Sequence, residues 1–478
     1  MSDRAPAGIL DGVIDRTLAN LRSAWREIAL SARGVRSSAP RPELPDDDAA
    51  KLRQQMLSCL DGRGGEVTAR ARAAQLGRSF LALNAAGRER FLRLLAEEFD
   101  TDHAVVDDCC ALVAAAADPV ARAAAERALR TALTPPRITL LRQFNALPEG
   151  VKFLVDRRAE LLALAAADPA LKALADDLRD LLANWFDIGF LELRRITWDS
   201  PASLLEKLIA YEAVHEIRGW TDLKNRLEAD RRCFAFFHPR MPDEPLIFVE
   251  IALVDGIAGD VRSLLDESAP IGDPHSADTA IFYSISNCQR GLVGISLGDF
   301  LIKRVVDALA GELPRVKTYA TLSPLPGFRA WLAAEARRDG LLLAGEARAI
   351  NALGGGPDGG GDQVLLRLLD RPDWYEDPHT AASLREPLLR LAARYLMRAR
   401  APSGRALDPV AHFHLTNGAR IEQLNWLADL SPKGLQQSGG IMVNYLYRLG
   451  DIEANHEAYR DDGRVVAATA VRALTRAA

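Results

Sequence analysis

The chain is poor in cysteine. Its 478 residues hold five, at positions 59, 109, 110, 233 and 288, and none falls in CxxC or CxxH spacing. An odd, scattered set argues against a disulfide framework and against a structural zinc, and for a reducing compartment. Adjacent Cys109 and Cys110 lie in an Ala-rich helical pattern and read as core packing. Basic charge is not in excess either. Sixty Lys and Arg against sixty-five Asp and Glu leave a net charge of −5, so no overall field gathers nucleic acid or anionic lipid. A local basic patch for a small anionic ligand is still compatible with these numbers. Long apolar runs are missing as well: the longest, Cys109 to Ala117, falls far short of the roughly 18 residues of a membrane helix. The opening segment MSDRAPAGILDGVIDRTLANLRSAW has no apolar signal core, and Asp3, Asp11 and Asp15 weigh against an organellar transit peptide. The final Thr-Arg-Ala-Ala is not a peroxisomal address. These absences predict a cytoplasmic protein with no membrane and no nucleic-acid partner.

What is present is a folded composition, 48% hydrophobic and 26% charged, with length for about three average domains or two larger ones. Up to about residue 190, apolar residues recur at spacings of three and four, the mark of consecutive amphipathic helices. Asp118-Pro119, Asp168-Pro169 and Ser200-Pro201 read as helix starts, a polar cap followed by a proline that has no first-turn N–H to lose. A Pro-, Ser- and Asp-rich stretch between 34 and 48 reads as a connection. The texture changes near Trp198. β-Rich runs appear at 233–240, 245–254, 279–286 and 316–323, with helical segments at 299–313, 327–338 and 381–399, which predicts an α+β chain. The run GGGPDGGG at 354–361 lacks GK[ST] and follows no strand, so it reads as a surface loop rather than a phosphate loop.

Several residues invite chemistry. The strand at 279–286 runs into NCQRGLVGISLG and then into a helix. Glycines 291, 294 and 298 would let a backbone approach a pyrophosphate at the helix N-terminus, although glycines serve plain turns as well. Gly294-Ile295-Ser296-Leu297-Gly298 matches the nucleophile elbow G-x-S-x-G, but the preceding helical half and the missing oxyanion segment disfavour a serine hydrolase. The strand at 316–323 ends in Thr-Leu-Ser-Pro-Leu-Pro-Gly. Its Ser323 either sits as a fixed hydroxyl at a stiff terminus or, the plainer reading, caps the next helix. His412 and His414 flank Phe413. On a strand they would share a face, yet no third metal ligand stands at recognisable spacing, so one of them reads as a proton donor or as a structural histidine.

Taken together, HPRMPDEPL (238–246), FYSIS (282–286), GLVGISLGDFLIKRVV (291–306), TLSPLPGF (321–328), DPVAHFHLTNGARIEQLNWLAD (408–429) and SGGIMVNYLY (438–447) resemble the malonyl-CoA decarboxylase family in order and spacing. The resemblance implies a helical self-association domain, residues 1–190. It also implies a CoA-binding catalytic domain, 191–478, with the fold of the GCN5-related acetyltransferases. The family's malonyl-CoA loop falls on Val293, Gly294, Ile295, Ser296, Leu297, Gly298 and Asp299, its catalytic serine on Ser323 and its catalytic histidine on His414, leaving His412 a neighbour. Ser296 stands where the family pattern is acidic. The implied reaction converts malonyl-CoA to acetyl-CoA and CO2. No metal or organic cofactor is needed, since coenzyme A is part of the substrate and the thioester is the electron sink. The implied partners are malonyl-CoA and further copies of the chain, as a homotetramer or dimer. A CoA-dependent acyltransferase and a non-catalytic CoA-binding scaffold are the competing readings, separated from it by CO2 release without an acceptor.

Overall fold

The structure, a computed structural model, describes residues 21–30, 39–61, 65–295, 301–338, 340–354 and 360–475. The chain divides into two compact units. One comprises the residues up to Glu192 together with Phe236–Leu246 and Asn287–Leu297; the other holds Leu193–Ala235, Ile247–Ser286 and the chain from Gly298 onward.

The first unit is helical, as the periodicity predicts. It contains α1 (Asp46–Leu60), α2 (Glu66–Leu81), α3 (Ala85–Glu98), α4 (His103–Ala115), α5 (Pro119–Ala132), α6 (Pro136–Gln143), α7 (Gly150–Leu164) and α8 (Pro169–Trp185). Their starts follow capping chemistry: Asn84, Asp102, Asp118 and Asp168 each accept a first-turn N–H, which satisfies donors that have no partner within the helix. The α8 stripe Leu171, Leu174, Leu178, Leu181 and Leu182 is buried. Trp25 is fully buried against Phe144 and Phe153, and its indole N–H is satisfied by Pro148 O at 2.8 Å. Burial on α4 is confined to Cys109, and α5 buries nothing. Cys110 is therefore exposed, which corrects the core reading for that half of the pair: one turn position separates the buried stripe from solvent.

The second unit is built on an eight-stranded sheet. Its strands are β1 (Glu192–Ile196), β2 (Arg231–Phe237), β3 (Ile247–Val254), β4 (Thr279–Asn287), β5 (Thr318–Thr321), β6 (Ser323–Pro324), β7 (Arg420–Asn425) and β8 (Met442–Tyr447), in the order β1-β2-β3-β4-β5-β8-β6 with β7 also on β8. β4 and β5 are parallel, and β8 is antiparallel to β5, β6 and β7. A helical N-terminal region followed in the chain by a mixed sheet is the expected α+β, acetyltransferase-like architecture. The β4–β5 pairing ends at Phe282 and Thr321, although β4 runs on to Asn287. One sheet face packs Ala320, Leu322, Met442 and Leu446 against Ile281, Tyr283 and Ala428.

Helices of this unit include α9 (Ala202–Tyr211), α10 (Leu301–Glu312), α11 (Phe328–Glu335), α12 (Pro378–Arg398), α13 (Pro409–Thr416) and α14 (Ile452–Asp462). Three expectations need correction. Ser200 does not cap α9; its hydroxyl accepts the Thr197 N–H, and Pro201 holds the cap position. The strand expected over 316–323 is broken after Thr321, for a reason given below. Residues 409–416, weighed above as strand, are helical, because Asp408 and Pro409 supply a cap and an N1 proline. In the Gly-rich run, residues 355–359 lie outside the described residues.

Candidate active site

Residues directly opposite in an antiparallel pair share a face. Ser323 lies opposite Val443, and Tyr319 opposite Tyr447, so Thr321 and Ser323 stand on the same face as Tyr445 and Tyr447. This is the face opposite the apolar cluster. At its centre the ladder is replaced by side chains. Asn444 donates through Nδ2 to Thr321 O at 2.7 Å, and the Tyr445 N–H donates to Thr321 Oγ1 at 3.2 Å. That substitution breaks the expected strand into β5 and β6 and leaves Ser323 at a fixed terminus.

α13 delivers His414 to this face. Its ring lies over Tyr445, centroids 4.4 Å apart and 26° from parallel. Nε2 is 3.1 Å from Ser323 Oγ, and Nδ1 is 2.8 Å from Tyr447 Oη. The Ser323 hydroxyl donates to Thr321 Oγ1 at 2.9 Å. With the serine proton so used, the Nε2 contact is donated by the ring; Nδ1 is then the acceptor and Tyr447 the donor. The order of donation is Tyr447 to His414 to Ser323 to Thr321. His414 is completely buried, and burial alone draws its pKa down to about 3, so the ring is neutral at physiological pH. The same burial holds the Tyr447 hydroxyl protonated, far above its usual range. Ser323 caps no helix, since Gly327 occupies the cap of α11.

Helical spacing also separates the two histidines. Positions two apart on a helix diverge by about 200°. His414 therefore faces the sheet, while exposed His412 meets Tyr459 Oη at 2.8 Å. Among the described residues no three His, Cys, Asp or Glu side chains converge as a metal-ligand set.

The glycine loop after β4 belongs to the first unit, whereas Ser323 and His414 belong to the second. Arg158 of α7 donates to Gly291 O at 2.6 Å and to Val293 O at 2.8 Å. A Cβ at Gly291 would lie 1.8 Å from Val155 O, so glycine is required by close approach, and Gly294 takes a left-handed φ of 78°. Val293, Gly294 and Ile295 thus form a turn with a guanidinium beneath its carbonyls. Ser296, Leu297, Gly298 and Asp299 lie outside the described residues. Sequence reasoning missed Thr321, Asn444, Tyr445 and Tyr447. The alternation Val443, Tyr445, Tyr447 was the available signal, a period of two that puts both tyrosines on one strand face.

Comparison with known proteins matches residues 189–478 to the malonyl-CoA decarboxylase C-terminal domain and residues 99–186 to its N-terminal domain. The chain belongs to the malonyl-CoA decarboxylase family. It is 39% identical to the goose (Anser anser anser) protein named malonyl-CoA decarboxylase, mitochondrial, over 82% of this chain and 80% of that one. The mouse (Mus musculus) protein of the same name is 35% identical over 98% of each. The malonyl-CoA decarboxylase crystal structure from Rhodopseudomonas palustris superposes with a TM-score of 0.81 at 45% identity, covering 89% of this chain and 99% of that one. The structure from Agrobacterium vitis gives 0.78 at 44%, with the same coverage.

Proposed function

We propose that the chain is a carboxy-lyase converting malonyl-CoA to acetyl-CoA and CO2, with Ser323 and His414 as its catalytic pair. The observation that carries the assignment is the 3.1 Å contact between a buried, neutral imidazole and a serine whose own proton points elsewhere. In the reaction the bond from C2 to the carboxylate carbon breaks and its electron pair enters the thioester carbonyl as an enolate. CO2 departs, and C2 takes up one proton. The thioester accepts the electrons, so no metal or organic cofactor is assigned. The substrate carboxylate raises the proton affinity of the nearby ring, which takes up the one proton the reaction consumes from solvent at Nδ1, and Tyr447 turns its hydroxyl to accept from Nδ1–H while the ring is charged. The Nε2 proton then passes to C2, and Ser323 orients the carboxylate or relays the proton. Acid help of this kind contributes about 10² to 10⁴ in rate, and positioning with electrostatic stabilisation of the enolate supplies the rest.

The glycine loop from Val293 to Asp299 is assigned to coenzyme A, supported by the close-packed turn and by the positive charge of Arg158 beneath it. Residues 1–190 are assigned to self-association, as a homotetramer or dimer, and 191–478 to catalysis. Exposed Val105, Leu112 and Val120 on α4 and α5 support the first of these, since an apolar face left in water favours a partner. The described helices include none long and apolar enough to cross a membrane, and the cytoplasm is the location proposed, tested by a fluorescent fusion. The deciding experiment incubates purified protein with malonyl-CoA and follows acetyl-CoA by mass with no acceptor present. Turnover is expected, cut about 10²- to 10⁴-fold but still measurable on Ser323→Ala and His414→Asn, and retained on His412→Asn. A dead His412 variant beside a normal His414 variant would overturn the site.

A further inference from the structure

The geometry points to Asp408 as a positioning residue that fixes the Ser323 turn and the His414 helix to one another. The inference rests on the assignment of Ser323 and His414 made above. Asp408 is the N-cap of α13, six residues ahead of His414, and Oδ1 accepts the N–H groups of Val410 at 3.0 Å and Ala411 at 2.9 Å. A helix cap needs no more than this. Yet Oδ2 accepts the hydroxyl of Tyr395 at 3.1 Å, and Gly327 is packed closely against that same hydroxyl. Gly327 lies four residues after Ser323, in the Ser-Pro-Leu-Pro-Gly turn. Through Tyr395, one carboxyl group therefore ties the start of the histidine helix to the end of the serine turn.

The surroundings set this cap apart. Of the Asp-Pro helix starts at Asp118, Asp168, Asp377 and Asp408, the first and third are exposed, the second is half-buried, and Asp408 is 1% exposed. Burial pushes its pKa up against the pull of its donors, an arrangement that is unfavourable unless every donor is present. Tyr395 is held by the rings of Phe328 and Trp331, at 5.7 and 5.3 Å, so its hydroxyl cannot swing away. A Cβ at position 327 would come within 2.4 Å of that hydroxyl; the turn approaches Tyr395 this closely because the residue there is glycine. The lowered pKa of the His414 ring has burial as its cause. What Asp408 supplies is alignment.

Asp408→Asn tests this, because Asn caps helices as well as Asp does while its NH2 cannot accept from Tyr395. A double-mutant cycle compares Asp408→Asn in the parent and in Ser323→Ala. In the parent, kcat should fall about tenfold, the scale of one lost bond to a charged group, with KM little changed. In Ser323→Ala the same substitution should change kcat less than twofold, since the alignment it sets no longer has a serine to align. An equal factor in both backgrounds indicates general loosening and overturns the inference, as does an unchanged kcat in the parent. Should Asp408→Asn fail to fold, Tyr395→Phe in the same cycle, read against the same two outcomes, decides. If Ser323→Ala itself is fully active, the catalytic assignment fails first, and the role given to Asp408 falls with it.

Discussion

The buried imidazole makes stability depend on pH in a direction that can be worked out. His414 has a folded pKa near 3, against roughly 6.5 in an unfolded chain. The unfolded state therefore binds a proton that the folded state refuses, and the contribution of this residue is fully present above about pH 6.5 and fades as pH falls toward 3. Integrating the two titrations between about pH 7.5 and pH 5 gives a loss of roughly 2 kcal/mol from His414 alone, half of it by about pH 5.8. Burial also lowers the pKa of His215 and His238 and raises that of Glu250 to about 8, so the parent on its own would mix several titrations. The assay is denaturant unfolding of the parent and of His414→Asn, each at both pH values, with the difference of differences taken as the His414 contribution. The variant should be less sensitive to acid than the parent by about 2 kcal/mol. Equal acid sensitivity would refute the claim that His414 is held neutral, and with it the order of donation from Tyr447 to Thr321.

Tyr447→Phe keeps the ring but removes the donor to Nδ1, so kcat should drop about three- to tenfold with little change in KM, read by steady-state kinetics. Gly291→Ala places a methyl group against Val155 O and should cost about 1–3 kcal/mol by denaturant unfolding, with a raised KM for malonyl-CoA. Dialysis against a chelator should leave turnover unchanged in a product-mass assay; a requirement for zinc or biotin would end the proposed mechanism.

The helical half was legible because caps and a 3.6-residue period are local properties. Asp118 and Asp168 are caps in the structure for the reason they look like caps in the sequence, and the strands from 231 to 287 carry dense β-branched and aromatic runs. The errors arose where tertiary contacts decide. A strand that gives up its ladder to an asparagine from a residue over a hundred positions away looks unbroken in sequence, so the gap between Thr321 and Ser323 was invisible. His412 and His414 could not be told apart on an assumed strand; an eight-residue helix separates them at once. The partners of His414 were hidden for another reason. Tyr445 and Tyr447 lie in a stretch that reads as ordinary buried strand, and nothing local distinguishes a tyrosine under the His414 ring from one filling a core.

The pins made by Asn444 have a consequence for how this enzyme can change. Both amide hydrogens of that side chain are used, on Thr321 O and on Ala258 O, and its oxygen accepts from Asn425, so β8 is nailed to its neighbours at one point. Deleting a single residue between Asn444 and Tyr447 would exchange the two faces of the strand beyond the pin. Tyr447 would turn toward the apolar cluster and its hydroxyl would be lost to Nδ1 of His414, while the backbone could still pair. Length variation in this family is thus expected in the turn after Tyr447 and not within the strand: β8 works as a ruler, and the chemistry is read off at fixed marks along it.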